Sequence, residues 1–202
     1  ELDAFFMPFD RLLRRHAGAE IGITRLIAEG LLKGVQVTVE GYVYGGEVQT
    51  LGVVDSILFP GTLAFSRFDY PSALPEGVQE RMADISKRLM SGLGFDNGMF
   101  NIEMMYDARE DRIAIIEINP RMASQFADLY EKVDGTNAYD VLVDLGVGVR
   151  PTPKRRQGKY RFAASCVLRT FEDGVVAALP CAERLAEVER AYADIRVEIH
   201  AT

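Results

Sequence analysis

Cysteine, histidine and long apolar runs are the scarce items in this chain of 202 residues. Two cysteines, Cys166 and Cys181, are too few for a disulfide framework or a zinc site, and they read as reduced, partly buried thiols. The two histidines are His16, among arginines on an expected helix, and His200, near the terminus. Neither sits in a Ser/Asp or Cys partner pattern, so a hydrolase triad has no support. No apolar run approaches the ~18 residues that would span a bilayer. The first residues, Glu1 to Met7, lack the basic region of a signal peptide, which makes a cytoplasmic location the default expectation. A net charge of -7 speaks against nonspecific nucleic-acid binding. There is no strand–GxGxxG–helix unit and no Walker A sequence. What remains is ordinary for a soluble globular chain, with 48% apolar and 26% charged residues, enough for one sizeable domain or a domain with an appendage.

Along the chain, residues 4–17 pattern as an amphipathic helix and residues 21–28 as a strand. Residues 35–43 alternate, with Val35, Val37, Val39, Gly41 and Val43 on one face and Gln36, Thr38, Glu40 and Tyr42 on the other. Gly45-Gly46 predicts a hairpin turn, and residues 47–54 the return strand. A polar second face predicts that this side of the sheet looks into a cleft or solvent. Residues 57–75 hold three prolines and no clear period, so a long functional loop is expected, with Ser66 and Arg67 as candidate gating residues. A helix is predicted from Glu76 to Leu93, with a stripe of Val78, Met82, Ile85, Leu89 and Leu93. Strands follow at 98–106 and 112–119, then helices at 122–131 and 138–145, the latter capped by Thr136 or Asn137. Residues 151–159 are basic and rich in Pro and Gly, as in a linker or exposed loop. Short strands at 160–169, 175–178, 184–188 and 195–199 would make a small β-rich module.

The informative stretch is Phe100-Asn101-Ile102-Glu103-Met104-Met105-Tyr106, followed by Ile113-Ala114-Ile115-Ile116-Glu117-Ile118-Asn119-Pro120-Arg121. Both segments are strongly apolar and both carry an acid in the middle. Burying a lone carboxylate is costly unless it is paired or bound to metal. A turn centred on residues 107–111 makes the two segments a hairpin, and one of its registers puts Glu103 opposite Glu117. Side chains so placed have Cβ atoms ~5 Å apart. Asn119, two residues on, shares the face. Two carboxylates and an amide then converge, a hard oxygen set suited to Mg²⁺ or Mn²⁺ with nucleotide phosphates completing the shell. Spacing alone leaves two alternatives open. One acid could face solvent while the other pairs with Arg121 or Arg112, or a slip of one residue could put the acids on opposite faces.

Glu103 followed by Ile116-Glu117-Ile118-Asn119-Pro120-Arg121 resembles the metal-site signature of the ATP-grasp superfamily, whose members include biotin carboxylases, D-alanine–D-alanine ligases and L-amino-acid ligases. Residues 26–39 resemble that family's hinge, and 40–55 the hairpin of its larger lobe; the likeness spans about 20–150 and is closest to the biotin-carboxylase and L-amino-acid ligase branch. It implies an α+β fold. Residues 1–33 would be a remnant of the smaller lobe, 34–150 the larger ATP-grasp lobe, an antiparallel sheet with flanking helices, and 151–202 the linker and small C-terminal module. It implies that Glu103 and Glu117 ligate Mg²⁺ (or Mn²⁺) with help from Asn119. Arg121 would stabilise the transferred phosphate or hold a substrate carboxylate. The backbone of Glu29, Gly30 and Leu31 would read adenine, and Gln36 would hold the ribose, where many relatives have Glu. Met99, Met104, Met105 and Met122 are expected as core or adenine-pocket packing.

The implied reaction uses ATP to activate a carboxylate as an acyl phosphate, which an amine attacks. The implied partners are small-molecule carboxylate and amine substrates, with no nucleic acid and no membrane, and a homodimer is a candidate assembly. The chain begins at Glu1 without a methionine, and neither Lys33 nor the 154–159 run matches the family's phosphate-binding lysines. An N-terminal region bearing them is therefore expected upstream, and residues 1–202 alone are expected to be inactive. Two other readings use the same residues: a non-catalytic ATP-grasp-like binding or assembly module, and a metal-dependent phosphate-transferring enzyme that does not ligate.

Overall fold

The computed structural model describes residue 15, residues 29–192 and residues 194–199. The helix expected over 4–17 (save for Arg15), the strand over 21–28, His16 and His200 lie outside the described residues. Six strands form one sheet: β1 (Val35–Tyr44), β2 (Glu47–Leu58), β3 (Phe65–Tyr70), β4 (Gly98–Asp107), β5 (Arg112–Asn119) and β6 (Ala163–Cys166). Their order is β5-β4-β1-β2-β3-β6, and every neighbouring pair is antiparallel. The helices are α1 (Glu76–Gly92), α2 (Ala127–Asp134), α3 (Ala138–Gly146) and α4 (Ala182–Ala191), with a 3₁₀ turn at Ser124–Phe126.

The β1–β2 turn is the expected one. Gly45 and Gly46 have φ of 59° and 78°, the left-handed pair that a two-residue hairpin turn requires. The valine face of β1 packs on α1. Val37, Val39, Val43, Phe100, Ile102 and Met104 share a core with Val78, Met82 and Met90. In α1 the buried stripe is Val78, Met82, Ser86 and Met90, spaced one turn apart. Leu93, expected on that stripe, lies outside the helix and is 60% exposed.

The opposite face of β1 is covered as well, which corrects the expectation of a cleft-facing or solvated side. Thr38, Glu40 and Tyr42 are all buried. Phe126 meets Phe68 edge-on at 5.2 Å and Tyr130 meets Tyr70 at 4.8 Å, so the 3₁₀ turn and α2 sit against this side. The Tyr70 hydroxyl donates to Asp134 at the end of α2. Asn137 caps α3 by accepting from the Tyr139 amide at 2.9 Å.

Other expectations change in whole or in part. Residues 57–75 are not one long loop: β2 runs on to Leu58, and Ser66 and Arg67 lie in β3, where Arg67 pairs with Asp69 at 3.0 Å. The basic 151–159 segment is irregular and mostly exposed, as expected of an exposed loop, and it is tied to the end of α2 and the residues after it. Arg156 N donates to Asp134 Oδ1 at 2.8 Å, Gly158 N to the Val133 carbonyl at 3.0 Å, and Lys154 N to Thr136 Oγ1 at 2.6 Å. The chain divides into compact units between Cys166 and Val167, so residues 151–166 go with the sheet. The strand expected at 160–169 forms in part, as β6; among its described residues the second unit, by itself, has the helix α4 and no strand, so the strands expected at 175–178, 184–188 and 195–199 are not seen there. Its charged sequence, Ala-Glu-Arg-Leu-Ala-Glu-Val-Glu-Arg-Ala, favours helix. Both cysteines are free and exposed rather than partly buried.

Gly52 of β2 pairs with Glu40, and a Cβ there would lie 2.5 Å from the Tyr70 ring. That ring is 3% exposed and anchored to Asp134, so it has no room to swing. Gly52→Ala is expected to destabilise the chain by about 1–3 kcal/mol, the usual range for overpacking. Thermal melting checks it, and an unchanged melting temperature would show that the ring can move aside.

Candidate functional site

The site grows from the pairing of β4 with β5. From the turn, Asp107 faces Arg112, Tyr106 faces Ile113, Met105 faces Ala114 and Met104 faces Ile115. The next pair is Glu103 with Glu117, so Ile116 is passed over. Such a one-residue bulge flips every side chain beyond it to the other face. Ile113, Ile115 and Ile118 thereby stand on the α1 side, opposite Tyr106, Met104 and Ile102, while Glu117 and Asn119 join Glu103 and Asn101 on the polar side. Of the alternatives that spacing left open, the structure has the one with both acids opposed.

Glu103 is half-buried and Glu117, on the edge strand, is exposed. On the inner side, Thr38 of β1 faces Glu103, and Gln36 Nε2 donates to Glu103 Oε2 at 2.9 Å. The Glu103 carboxyl is pushed up by burial and then by the Glu117 charge; the Gln36 hydrogen bond and the Arg121 charge pull it down. A glutamate at position 36 would add a third like charge here, whereas the glutamine donates to the carboxylate. Asn119 Nδ2 donates to Asn101 Oδ1 at 3.2 Å, and Asn101 Nδ2 donates to the Arg121 carbonyl at 2.9 Å. Arg121 is exposed, with Nη1 at 3.3 Å from the Met122 carbonyl. The structure thus brings Gln36, Glu103, Glu117, Asn119 and Arg121 to one end of the polar face.

Glu29, Gly30 and Leu31 form an exposed, irregular segment that leads into β1 and stands apart from the hydrogen bonds around the acids. Met99 and Met104 are core residues, at 2% and 0% exposure, and Met104 packs with the α1 cluster on the face away from the acids. Among the described residues no group of three or more His, Cys, Asp or Glu side chains is gathered to hold a metal. The set at this edge is two carboxylates and an amide oxygen. Two like charges facing each other on adjoining strands, one of them raised by the other, fit a divalent cation bound through hard oxygens whose remaining positions come from outside the protein.

Sequence reasoning missed Glu40. It is 0% exposed, and its Oε1 accepts from the Ala123 amide at 2.6 Å. Its Oε2 and the nearby Tyr130 hydroxyl are both buried with no hydrogen bond of normal geometry formed, yet they lie close enough for the hydroxyl to act on the carboxyl. Burial pushes the carboxyl up to about 8, against the lowering effects of the Ala123 amide, the Tyr130 hydroxyl and the Arg121 charge. The available signal was an acid placed mid-strand in Val37-Thr38-Val39-Glu40-Gly41, the same kind of signal that marked Glu103 and Glu117.

No family model matches the chain. Solved structures do match it at low identity. N5-carboxyaminoimidazole ribonucleotide synthetase from Thermus thermophilus is 17% identical with a TM-score of 0.56, over 67% of this chain and 36% of that one. The biotin carboxylase domain dimer of Hydrogenobacter thermophilus 2-oxoglutarate carboxylase, solved with MgADP, ADP and bicarbonate, is 16% identical with a TM-score of 0.55, over 65% and 29%. Campylobacter jejuni biotin carboxylase in a β,γ-ATP complex is 18% identical with a TM-score of 0.54, over 63% and 29%. The chain spans about a third of the length of these three structures. The likeness is one of fold: the six-stranded antiparallel sheet with flanking helices is a partial ATP-grasp-like fold. No helix among the described residues is long and apolar enough to cross a membrane.

Glu40 generates a pH prediction. Its carboxyl has an ordinary value of 4.5 in the unfolded chain and about 8 in the fold, so between these limits the folded state holds a proton that the unfolded state has released. The stability linked to it is fully present below pH ~4.5 and is lost as the pH rises through about 8. Chemical denaturation at a series of pH values should show stability falling across this window, and Glu40→Gln should flatten the slope. Equal slopes in parent and variant would mean that Glu40 is ionised in the fold.

Proposed function

From the partial ATP-grasp-like fold and its opposed acids, we propose that the protein containing this chain is an ATP- and Mg²⁺-dependent ligase that joins a carboxylate to an amine. One observation carries the reading: the register shift at Ile116 puts Glu103 and Glu117 on one face, beside Asn119 and Arg121. Mg²⁺ (Mn²⁺ could substitute) would be held by Glu103 and Glu117 with the Asn119 amide oxygen, and when bound it would neutralise phosphate charge and align the nucleotide.

The chain's own residues do the rest. Gln36, donating to Glu103, favours the ionised form of that carboxylate against the raising effects of burial and the Glu117 charge. The same amide can hydrogen-bond a ribose hydroxyl once a nucleotide approaches. The exposed backbone of Glu29, Gly30 and Leu31 offers donors and acceptors to an adenine edge. Arg121 presents a planar, permanently charged guanidinium, suited to the transferring phosphoryl oxygens or to a substrate carboxylate. In the reaction, a substrate carboxylate oxygen bonds to the γ-phosphorus of ATP as the bond to the ADP oxygen breaks. An amine then attacks the acyl carbon of the acyl phosphate, and inorganic phosphate leaves with the amide bond formed. The substrates are small molecules. The pairing of residues does not select among carboxylates or amines.

The rival reading, a binding or assembly module of the same fold without turnover, draws on Gln36, which stands where many members of the resembled family have a glutamate. One experiment separates the readings. Mn²⁺ binding in the presence of ADP, followed by the paramagnetic resonance of the free ion, should be saturable in the full protein. It should weaken about five- to thirtyfold in Glu117→Gln, since removal of one charged ligand costs about 1–2 kcal/mol. ADP release that depends on both a carboxylate and an amine supports ligation. Metal affinity unchanged in Glu117→Gln would remove the acid pair from the site.

A further inference from the structure

Arg121 follows the edge strand on a short irregular segment, and its own side-chain contacts would not hold it there. Its guanidinium is exposed and, among the described residues, hydrogen-bonds only to the carbonyl of its neighbour Met122. The backbone on either side is nevertheless tied into the middle of the sheet. Asn101, 3% exposed, donates from Nδ2 to the Arg121 carbonyl at 2.9 Å while its Oδ1 accepts from Asn119. Glu40, fully buried, accepts from the Ala123 amide at 2.6 Å. Glu40 and Asn101 are direct partners across β1 and β4. One pair of adjacent buried side chains therefore grips the carbonyl of residue 121 and the amide of residue 123, on either side of Met122.

Stability alone is a poor reason for this arrangement. A buried carboxyl with one oxygen unpartnered is costly, and an apolar pair of the same size would pack as well or better. What a polar pair supplies and an apolar pair does not is direction: hydrogen bonds at fixed geometry set where the segment leaves the sheet. The Arg121 charge is felt by both Glu40 and Glu103, so the segment so held keeps the guanidinium within electrostatic reach of both acids.

Resting on the ligase reading above, we propose that Glu40 and Asn101 are positioning residues that hold Arg121 in place for the anionic group it binds. They touch no substrate themselves and act through the backbone of residues 121–123. A displacement of about 1 Å in such a group costs on the order of 10²-fold in rate, so the clamp has a measurable consequence.

The test uses the full protein. Asn101→Asp keeps an acceptor for Asn119 and loses the donor to the Arg121 carbonyl. Glu40→Leu loses the acceptor for Ala123, and Glu40→Gln keeps one. Asn101→Asp and Glu40→Leu should lower kcat for ATP turnover on the order of 10-fold to 10²-fold, leave KM for ATP little changed, and cost nothing further in an Arg121→Ala background. Glu40→Gln should restore most of kcat. A drop that multiplies with that of Arg121→Ala would overturn the proposal. Order at the Arg121 Nε–H, read by ¹⁵N relaxation, tests the clamp independently of any turnover. Lower order in Asn101→Asp, folded by the same spectrum, supports it even if the parent ligates nothing; unchanged order in Asn101→Asp and Glu40→Gln alike, with Glu40→Leu folded and also unchanged, overturns it.

Discussion

A single passed-over residue on an edge strand sets which side chains share the polar face of this sheet. Had the pairing that begins at Asp107–Arg112 run on unbroken, Ile116 would face Glu103 and Glu117 would turn towards the side where Ile102, Met104 and α1 pack. A carboxylate there would be costly and would leave Glu103 without a partner acid. The bulge avoids both outcomes at small expense, because β5 is an edge strand and its distorted stretch lies at the surface: Ile115 and Ile116 remain 43% and 41% exposed. Everything beyond the bulge inherits the shift, so Asn119 meets Asn101 and the chain leaves β5 where Asn101 can hold the Arg121 carbonyl.

The polar face of the sheet contains two kinds of acid, and the helices decide which is which. Glu40 lies beneath the segment that leads into α2, with no exposure, and burial dominates its behaviour. Glu103 lies further towards the open edge, half-buried, where burial is followed by the charge of Glu117 and relieved by Gln36. The same residue type thus serves as a buried internal anchor in one place and as a candidate ligand in the other. Environment sets the difference, and it does so along one face of three adjoining strands.

Much of this is legible in the sequence. Clean alternation over residues 35–43, the Gly45-Gly46 turn and the acids at 103 and 117 are local signals, and local geometry determines their outcome. The bulge also leaves a mark: the adjacent Ile115-Ile116 breaks the alternation that Ile113 and Ile115 begin, and Ile118 resumes it three residues on. Whatever depends on distant segments is not legible in this way. The polar face of β1 reads as open because nothing in residues 35–43 says that Phe126 and Tyr130 will cover it. The 57–75 stretch reads as a loop because β3 is short, holds only six residues, and is stabilised by β2 on one side and by β6, almost a hundred residues on, at the other. The basic 151–159 segment has linker composition, yet its backbone donors find the end of α2.

The open part of the face keeps its shape through the way its cover is anchored. The 3₁₀ turn and α2 are held at both ends by buried polar contacts and not by packing alone: Ala123 on Glu40 at the start, Asp134 at the end receiving both the Tyr70 hydroxyl and the Arg156 amide. Between them the aromatic rings of Phe126 and Tyr130 fill the space against β3. Hydrophobic burial would tolerate α2 sliding along the sheet by a fraction of a turn, since apolar contacts are non-directional. Hydrogen bonds at each end do not tolerate it. A sheet covered in this way has a fixed boundary between its buried and open regions, and that boundary falls between Glu40 and Glu103, on neighbouring strands of one face. The position of the helix therefore decides which acids stay open to solvent, and the contacts that anchor the helix fix the shape of the candidate site as much as the pairing of the acids does.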